Sequence, residues 1–309
     1  MNVHGIFNLW KPPGLTSFDV VHRVRHLSGQ WKVGHAGTLD PLASGVLVVC
    51  LGQATRLTPY LAEHRKVYLA EITLGQTTDT YDAEGRITSE TAFSPITRET
   101  AEGVLSRFIG PIRQRPPLYS AVKRDGTPLY RLARAGVEVE PPWRWVTIHR
   151  LELLLWSPPT LQVLVECSRG TYIRSLAHDV GYILGCGAFL SYLVRLRSGP
   201  FCLEDSLSLD ELAHAFTHNY WLDLLYPLDA PLLDRPAVIL GHERSQMAKH
   251  GIPLSMRPVA SSHEVVEASQ EGRRLARGYS VDGELLALLR ADPSAGLWRV
   301  VRVFDRPVD

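Results

Sequence analysis

The chain has 309 residues, 45% hydrophobic and 21% charged, with a net charge of +1. That length suggests about two domains, and that composition is ordinary for a globular protein and unlike a disordered one. No apolar run approaches a membrane span, and Met1 to Pro13 lacks a leader pattern, so the expected location is the cytoplasm. The four cysteines, Cys50, Cys167, Cys186 and Cys202, are scattered without paired spacing and read as buried thiols, not a disulfide frame or zinc site.

The small net charge hides a segregation. Residues 1–66 hold seven Lys/Arg against three acids, 107–150 nine against three, and 168–200 four against one. Residues 67–106 reverse this with two against seven, and 201–234 carry seven acids and no Lys or Arg. Basic surface drawn from three segments fits one face meeting a polyanion; uneven solvated charge explains the counts equally well.

In chain order, Gly5–Trp10 reads as a strand and Lys11-Pro12-Pro13-Gly14 as a turn. Thr16 or Ser17 caps a helix with Val20, Val24 and Leu27 on one face, ended by Gly29. His22 and His26 lie four apart on it without a third ligand nearby, which disfavours a metal. Then comes Gly34-His35-Ala36-Gly37-Thr38-Leu39-Asp40-Pro41-Leu42-Ala43-Ser44-Gly45, a loop rich in glycine, followed by an apolar strand, 46–51. Asp40, held before Pro41, is either a turn residue bonding its own backbone or a catalytic carboxylate on a rigidly presented loop.

A helix is expected over 54–63 and a strand over 66–75, with Tyr68, Ala70, Ile72 and Leu74 on one face. Tyr68 is there a core or a site residue. Gln76 to Asp82 is a polar loop whose acids lack the spacing of a calcium loop. A helix follows over 97–109, capped by Thr97. Residues 112–127 carry Arg113, Arg115, Lys123 and Arg124 around Pro116-Pro117-Leu118-Tyr119-Ser120. Thr127-Pro128 reads as the start of a helix bearing Arg131 and Arg134. This basic stretch is an arm touching phosphates or an ordinary exposed hairpin and helix.

Strands over 146–155 and 161–167 pair around Ser157-Pro158-Pro159, and Ser168-Arg169-Gly170-Thr171-Tyr172-Ile173-Arg174 leads into a helix. Residues 188–197 form another strand, and Ser208 with Glu211 makes a capping box. The proline-rich 227–236 looks like a boundary before a small domain of short strands (Ala237–Leu240, Glu284–Arg290, Trp298–Phe304). Without strict alternation of strand and helix, the main domain is expected to be α+β with a mixed, mostly antiparallel central sheet flanked by helices. No phosphate loop or dinucleotide fingerprint is present. If Asp40, Tyr68, Tyr172 and Arg174 meet in one cleft, the arginine favours the charged carboxylate, and the set suits chemistry on a nucleobase lifted from its stack.

The Gly34–Gly45 stretch closely resembles the signature of the bacterial tRNA pseudouridine synthase B (TruB) family. Lys66-Val67-Tyr68 with Leu74 to Thr80, Pro117 to Lys123, Cys167 to Arg174, and Tyr192 to Leu196 resemble further family segments in the family's order, spanning about residues 5–200. From about Pro236 onward the likeness is weak. The resemblance implies isomerisation of uridine to pseudouridine in the tRNA T loop, at conventional position 55, with no metal or organic cofactor. It implies the pseudouridine synthase fold, with a catalytic domain over 1–232, an RNA-gripping arm around 107–150 and a small PUA-like β domain over 233–309. By motif position it assigns Asp40 as the catalytic aspartate, Tyr68 as the tyrosine packing on the base and Arg174 as the arginine paired with the aspartate. Tyr172 and Leu193 match pocket residues, and His35 a histidine used at or near the flipped base. Lys11, Lys123, Arg124 and Arg131 are expected to contact RNA, whereas Arg273, Arg274 and Arg277 touch RNA or are merely solvated. The expected partner is the T arm of tRNA; the chain is expected to act as a monomer needing no protein partner and no membrane. Three alternatives stand beside this: a non-catalytic RNA-binding or RNA-folding protein on the same scaffold, a guide-RNA-dependent relative, and a metal hydrolase, which lacks a ligand cluster.

Overall fold

The computed structural model describes residues 3–91, 96–120, 122–124, 126–137, 139–256 and 275–304. Its packing divides into two units. One comprises Phe7–Val49 and Thr58–Leu224; the other comprises Met1–Ile6, Cys50–Leu57 and Leu225–Asp309.

The elements begin with β1 (Gly5–Lys11), α1 (Ser17–Ser28), β2 (Val33–His35) and β3 (Ser44–Leu51). Thr16 and Asp19 form a capping box that starts α1, and Gly29 ends it at φ 64°. The expected helix over 54–63 is instead a 3-10 turn, Gly52–Leu57, followed by α2 (Thr58–Glu63). Next come β4 (Lys66–Leu74), the hairpin of β5 (Gln76–Thr78) and β6 (Ile87–Glu90), α3 (Arg98–Ser106) and β7 (Gly110–Gln114). Thr97 caps α3 as read.

In the arm, β8 (Lys123–Arg124) pairs with β9 (Thr127–Pro128), and α4 spans Leu129–Arg134. The threonine and proline therefore end a tight hairpin before the helix, not its first turn. Long β10 (Arg144–Ser157) and β11 (Thr160–Cys167) follow, then α5 (Ile173–Leu184), β12 (Ala188–Ser198), β13 (Phe201–Cys202) and α6 (Leu209–Thr217), whose start is the Ser208–Glu211 box.

The central sheet runs β1-β3-β12-β4-β11-β10-β7, with β2 on β3 and β13 on β12. β12 pairs with β3 in parallel, while β4 pairs antiparallel with both β12 and β11. β4 alternates buried and half-buried, so Tyr68, Ala70, Ile72 and Leu74 share the core face. α3 and α5 pack on that face. This mixed sheet with helices laid against it is the α+β architecture expected.

The C-terminal unit contains β14 (Ala237–Leu240), α7 (His242–Lys249), β15 (Leu254–Ser255), β16 (Leu275–Ser280), β17 (Leu285–Asp292) and β18 (Leu297–Val303). These strands form a five-stranded sheet in the order β14-β16-β17-β18-β15 around its own small core. Arg277 is engaged within it, bonding the Arg235 carbonyl and the Tyr279 hydroxyl; Arg273 and Arg274 lie outside the described residues. The four cysteines are unpaired, three of them buried. Among the described residues no metal-binding cluster occurs, and no helix is long and apolar enough to cross a membrane.

Candidate active site

The glycine-rich loop between β2 and β3 hangs on two buried cations. Arg195, 1% exposed on β12, donates from Nε to the Val46 carbonyl (2.7 Å), from Nη1 to Thr38 (3.3 Å) and from Nη2 to Gly37 (3.0 Å). Its planar fork suits two loop carbonyls and one on β3 at once. Lys11, with no exposed surface, donates to the carbonyls of Pro12, Leu15 and Pro41, and burial pulls its pKa down to about 8. This corrects its reading as an RNA contact: the ammonium is spent on the backbone either side of the loop. The Ser17 hydroxyl adds a reciprocal pair of bonds with the Leu39 backbone.

So held, Asp40 faces a cleft of about 1110 Å³. Tyr68, Tyr172, Arg174 and Leu193 line the same cleft, which brings five of the sequence-derived site residues together. Tyr68 comes from β4, Leu193 from β12, and Tyr172 and Arg174 from the start of α5. Gln114, 1% exposed on β7, fixes the Tyr172 backbone by accepting from its N–H (2.8 Å) and donating to its carbonyl (2.9 Å).

Arg174 is shared between two acids. Nη2 meets Asp40 Oδ2 at 3.0 Å, and Nη1 meets Asp82 Oδ2 at 3.2 Å. Nη2 also donates to the Tyr119 carbonyl, and Nη1 to that of Thr80. Asp82 is 4% exposed and takes further bonds from the Thr80 hydroxyl and the Glu84 N–H. In the sequence Asp82 lies in a polar loop without calcium-loop spacing, and no local signal ties it to an arginine 92 positions on.

Burial raises the Asp40 carboxyl above the ordinary carboxylate range; the Arg174 guanidinium opposes the rise and the Asp82 charge adds to it. The arginine therefore does not by itself set the carboxylate's state. With 39% of the side chain open to the cleft, water softens the rise until a substrate excludes it. Burial likewise pushes the Tyr68 and Tyr172 hydroxyls up, with Arg195 pulling against it at Tyr68. Lys66, on the cleft wall, is bonded to the Ala62 and His64 carbonyls and lowered by burial to about 8.

His35 ends β2 and is not among the cleft-lining residues; its Nδ1 is buried with no hydrogen-bond partner among the described residues, and burial holds its pKa down. Arg124 and Arg131 are exposed in the arm and do not line the cleft; the side chain of Lys123 falls outside what the structure describes. The rim instead carries Arg144 and the 71% exposed Trp145, opposite Gln114 and Arg113 in the β10–β7 pair. Beside them Trp143 underlies two guanidiniums, Arg113 at 5.1 Å and Arg115 at 4.5 Å.

A long mixed sheet with an acid loop at β3 and an arginine at the α5 start is the architecture of a pseudouridine synthase. The chain superposes with a TM-score of 0.74 on a solved Cbf5-Nop10-Gar1 complex (30% identity, 97% of this chain and 84% of that one). It superposes at 0.73 on an H/ACA RNP bound to a substrate RNA containing 2′-deoxyuridine (27% identity, 98% and 86%). The family model for TruB family pseudouridylate synthase (N terminal domain) matches residues 25–173, and that for the tRNA pseudouridylate synthase B C-terminal domain matches 174–233. The tRNA pseudouridine synthase B of Dehalococcoides mccartyi (strain ATCC BAA-2266 / KCTC 15142 / 195) is 44% identical over 99% of this chain and 98% of its own. That of Symbiobacterium thermophilum is 49% identical over 82% and 84%, and that of Pseudomonas putida (strain GB-1) 48% over 81% and 83%. The chain belongs to the TruB family of pseudouridine synthases.

Proposed function

We propose that this chain isomerises uridine to pseudouridine in tRNA, at the T-loop position conventionally numbered 55, acting alone, without guide RNA, cofactor or metal, as a cytoplasmic monomer. The observation that carries this reading is the meeting of Asp40, Arg174, Tyr68 and Leu193 in one cleft of a TruB-family chain.

The reaction breaks the N1–C1′ bond, turns the uracil and joins C5 to C1′; N1 ends protonated and the C5 proton leaves. Asp40 is the reacting carboxylate, by attack at C1′ or C6 or as a base at C2′. Arg174 aims it, and loss of cleft water on substrate entry strengthens that pairing. Tyr68 and Leu193 cage the detached base between an aromatic and an apolar surface. Burial holds the Tyr68 phenol protonated while the Arg195 charge pulls the other way, so its ring stacks on the base and its hydroxyl hydrogen-bonds there. A nucleotide must leave its stack to reach this cleft, which costs least in a single-stranded loop. Arg113, Arg115, Arg144 and Trp145 offer phosphate contacts and a stacking face at the rim.

Tritium release from tRNA labelled at uracil C5 tests the reading with no guide RNA present. Wild type should release label and Asp40→Ala should not, while both bind tRNA. Bound tRNA without release from either would instead support an RNA-binding protein. Release only after a guide RNA is added would support the guided relative.

A further inference from the structure

Tyr81 has a φ of 63°, one of two non-glycine residues with positive φ among those described. A bulky side chain takes this left-handed conformation only where its surroundings impose it. Its two chain neighbours are both partners of Arg174 Nη1, Thr80 through its carbonyl at 3.3 Å and Asp82 through its carboxylate at 3.2 Å. Turning both groups onto one nitrogen requires the sharp reversal that φ at 81 provides. The Tyr81 backbone is tied on both sides, its N–H to the Thr78 carbonyl and its carbonyl to the Leu190 N–H. The ring makes a third tie: it lies against the His178 imidazole with centroids 4.0 Å apart and planes at 31°. His178 stands one helical turn beyond Arg174 on α5, so both side chains project from the same helix face.

We propose that the Tyr81–His178 stack is a positioning device for the reaction. It fastens the 80–82 turn to the helix face that carries Arg174. Thr80 and Asp82 then grip one edge of the guanidinium, and the other edge stays aimed at Asp40. Neither ring is among the residues lining the cleft, so both act through Arg174 and not on the base. The proposal rests on the reading of Asp40 as the reacting carboxylate.

Tyr81→Gly is the informative variant, because glycine keeps a positive φ without steric cost while deleting the ring. His178→Ala deletes the other half, and Tyr81→Phe and His178→Phe each preserve a ring pair. In tritium release, Tyr81→Gly and His178→Ala should each lower kcat by about 10- to 100-fold, the loss expected for a small misplacement of a catalytic group. KM should stay within about twofold, and the double variant should be no worse than either single one. Both Phe variants should keep most of the wild-type kcat. A loss in KM alone would make the rings an RNA contact and overturn the proposal, as would unchanged kcat in Tyr81→Gly.

A second readout needs no turnover. Arg174 Nε is buried with no hydrogen-bond partner among the described residues. Its Nε–H NMR signal, identified by its loss in Arg174→Lys, should shift in Tyr81→Gly and His178→Ala and hold in the Phe variants. An unmoved signal overturns the device even if the enzyme is active. A signal that moves as expected in a protein releasing no tritium overturns the catalytic reading and leaves the device standing.

Discussion

Gly45 and Arg195 face each other across the parallel pair of β3 and β12 so closely that a Cβ on residue 45 would lie 2.3 Å from the Arg195 carbonyl oxygen. Residue 45 also has φ +103°, which L side chains rarely adopt. Gly45→Ala is thus opposed by both space and backbone, and the atom in the way is main chain, which cannot swing aside. We expect a loss of about 3 kcal/mol or more, with Tm falling by about 6 °C or more. Calorimetry checks this, and an unchanged Tm would mean the two strands can part without cost.

The two acids on Arg174 should separate by mutation. Asp82 is almost fully buried, paired and bonded to its own turn, so Asp82→Asn should destabilise by about 3 kcal/mol. Asp40 carries a carboxyl raised by burial, so its ionised form weighs against folding at neutral pH. Asp40→Asn should therefore abolish turnover while leaving stability unchanged or higher by up to about 1 kcal/mol. Denaturant titration of both variants measures the contrast, and equal losses would contradict it.

If Asp40 reacts in its ionised form, as proposed, turnover should fall on acidification with a midpoint above the ordinary carboxylate value, because its carboxyl is raised. Replacing Asp82 by Asn removes a like charge and leaves Arg174 to Asp40, so the midpoint of the residual activity should move to lower pH. A profile of kcat against pH reads the direction; an upward move would show that Asp82 acts on Asp40 other than through its charge.

Trp145 should matter to binding and not to chemistry. An exposed indole on the cleft wall, opposite Arg113, presents an open aromatic face of the kind on which unstacked bases lie. Trp145→Ala should raise KM for tRNA by roughly 5- to 100-fold, the measured range for one base stacked on an aromatic ring. The kcat should not change, and Trp145→Phe should keep most of the affinity. Steady-state kinetics distinguish these, and an unaltered KM would remove Trp145 from the RNA path.

What was legible in the sequence followed from local rules. The caps at Thr16, Thr97 and Ser208 and the alternation of Tyr68, Ala70, Ile72 and Leu74 depend on residues within a few positions of each other. Asp40, Tyr68, Tyr172, Arg174 and Leu193 each sit in a segment with a family counterpart, and they do share one cleft. For Lys11 charge is visible in the sequence and burial is not: next to two prolines it looks like a turn lysine, yet it points into backbone carbonyls. His35 stands five residues from Asp40 but away from the cleft lining, with the positive-φ Gly37 turning the chain between them. Asp82, Gln114 and Arg195 work through partners 58 to 158 positions distant, beyond any periodicity. The short β16 is not legible as a strand because Arg277 and Gly278 interrupt its apolar pattern.

Arg195 reaches back 149 to 158 positions to the carbonyls that shape the Asp40 loop. A ribosome therefore delivers the acid first and its template last, separated by roughly 8–30 s at ordinary elongation rates. Throughout that interval the nascent chain can present a carboxylate and basic residues to RNA but has no guanidinium to set the loop. A message cut short anywhere before β12 would yield Asp40 without the arginine that shapes its loop. On the proposed role of Asp40, competence then waits for the closing of the sheet.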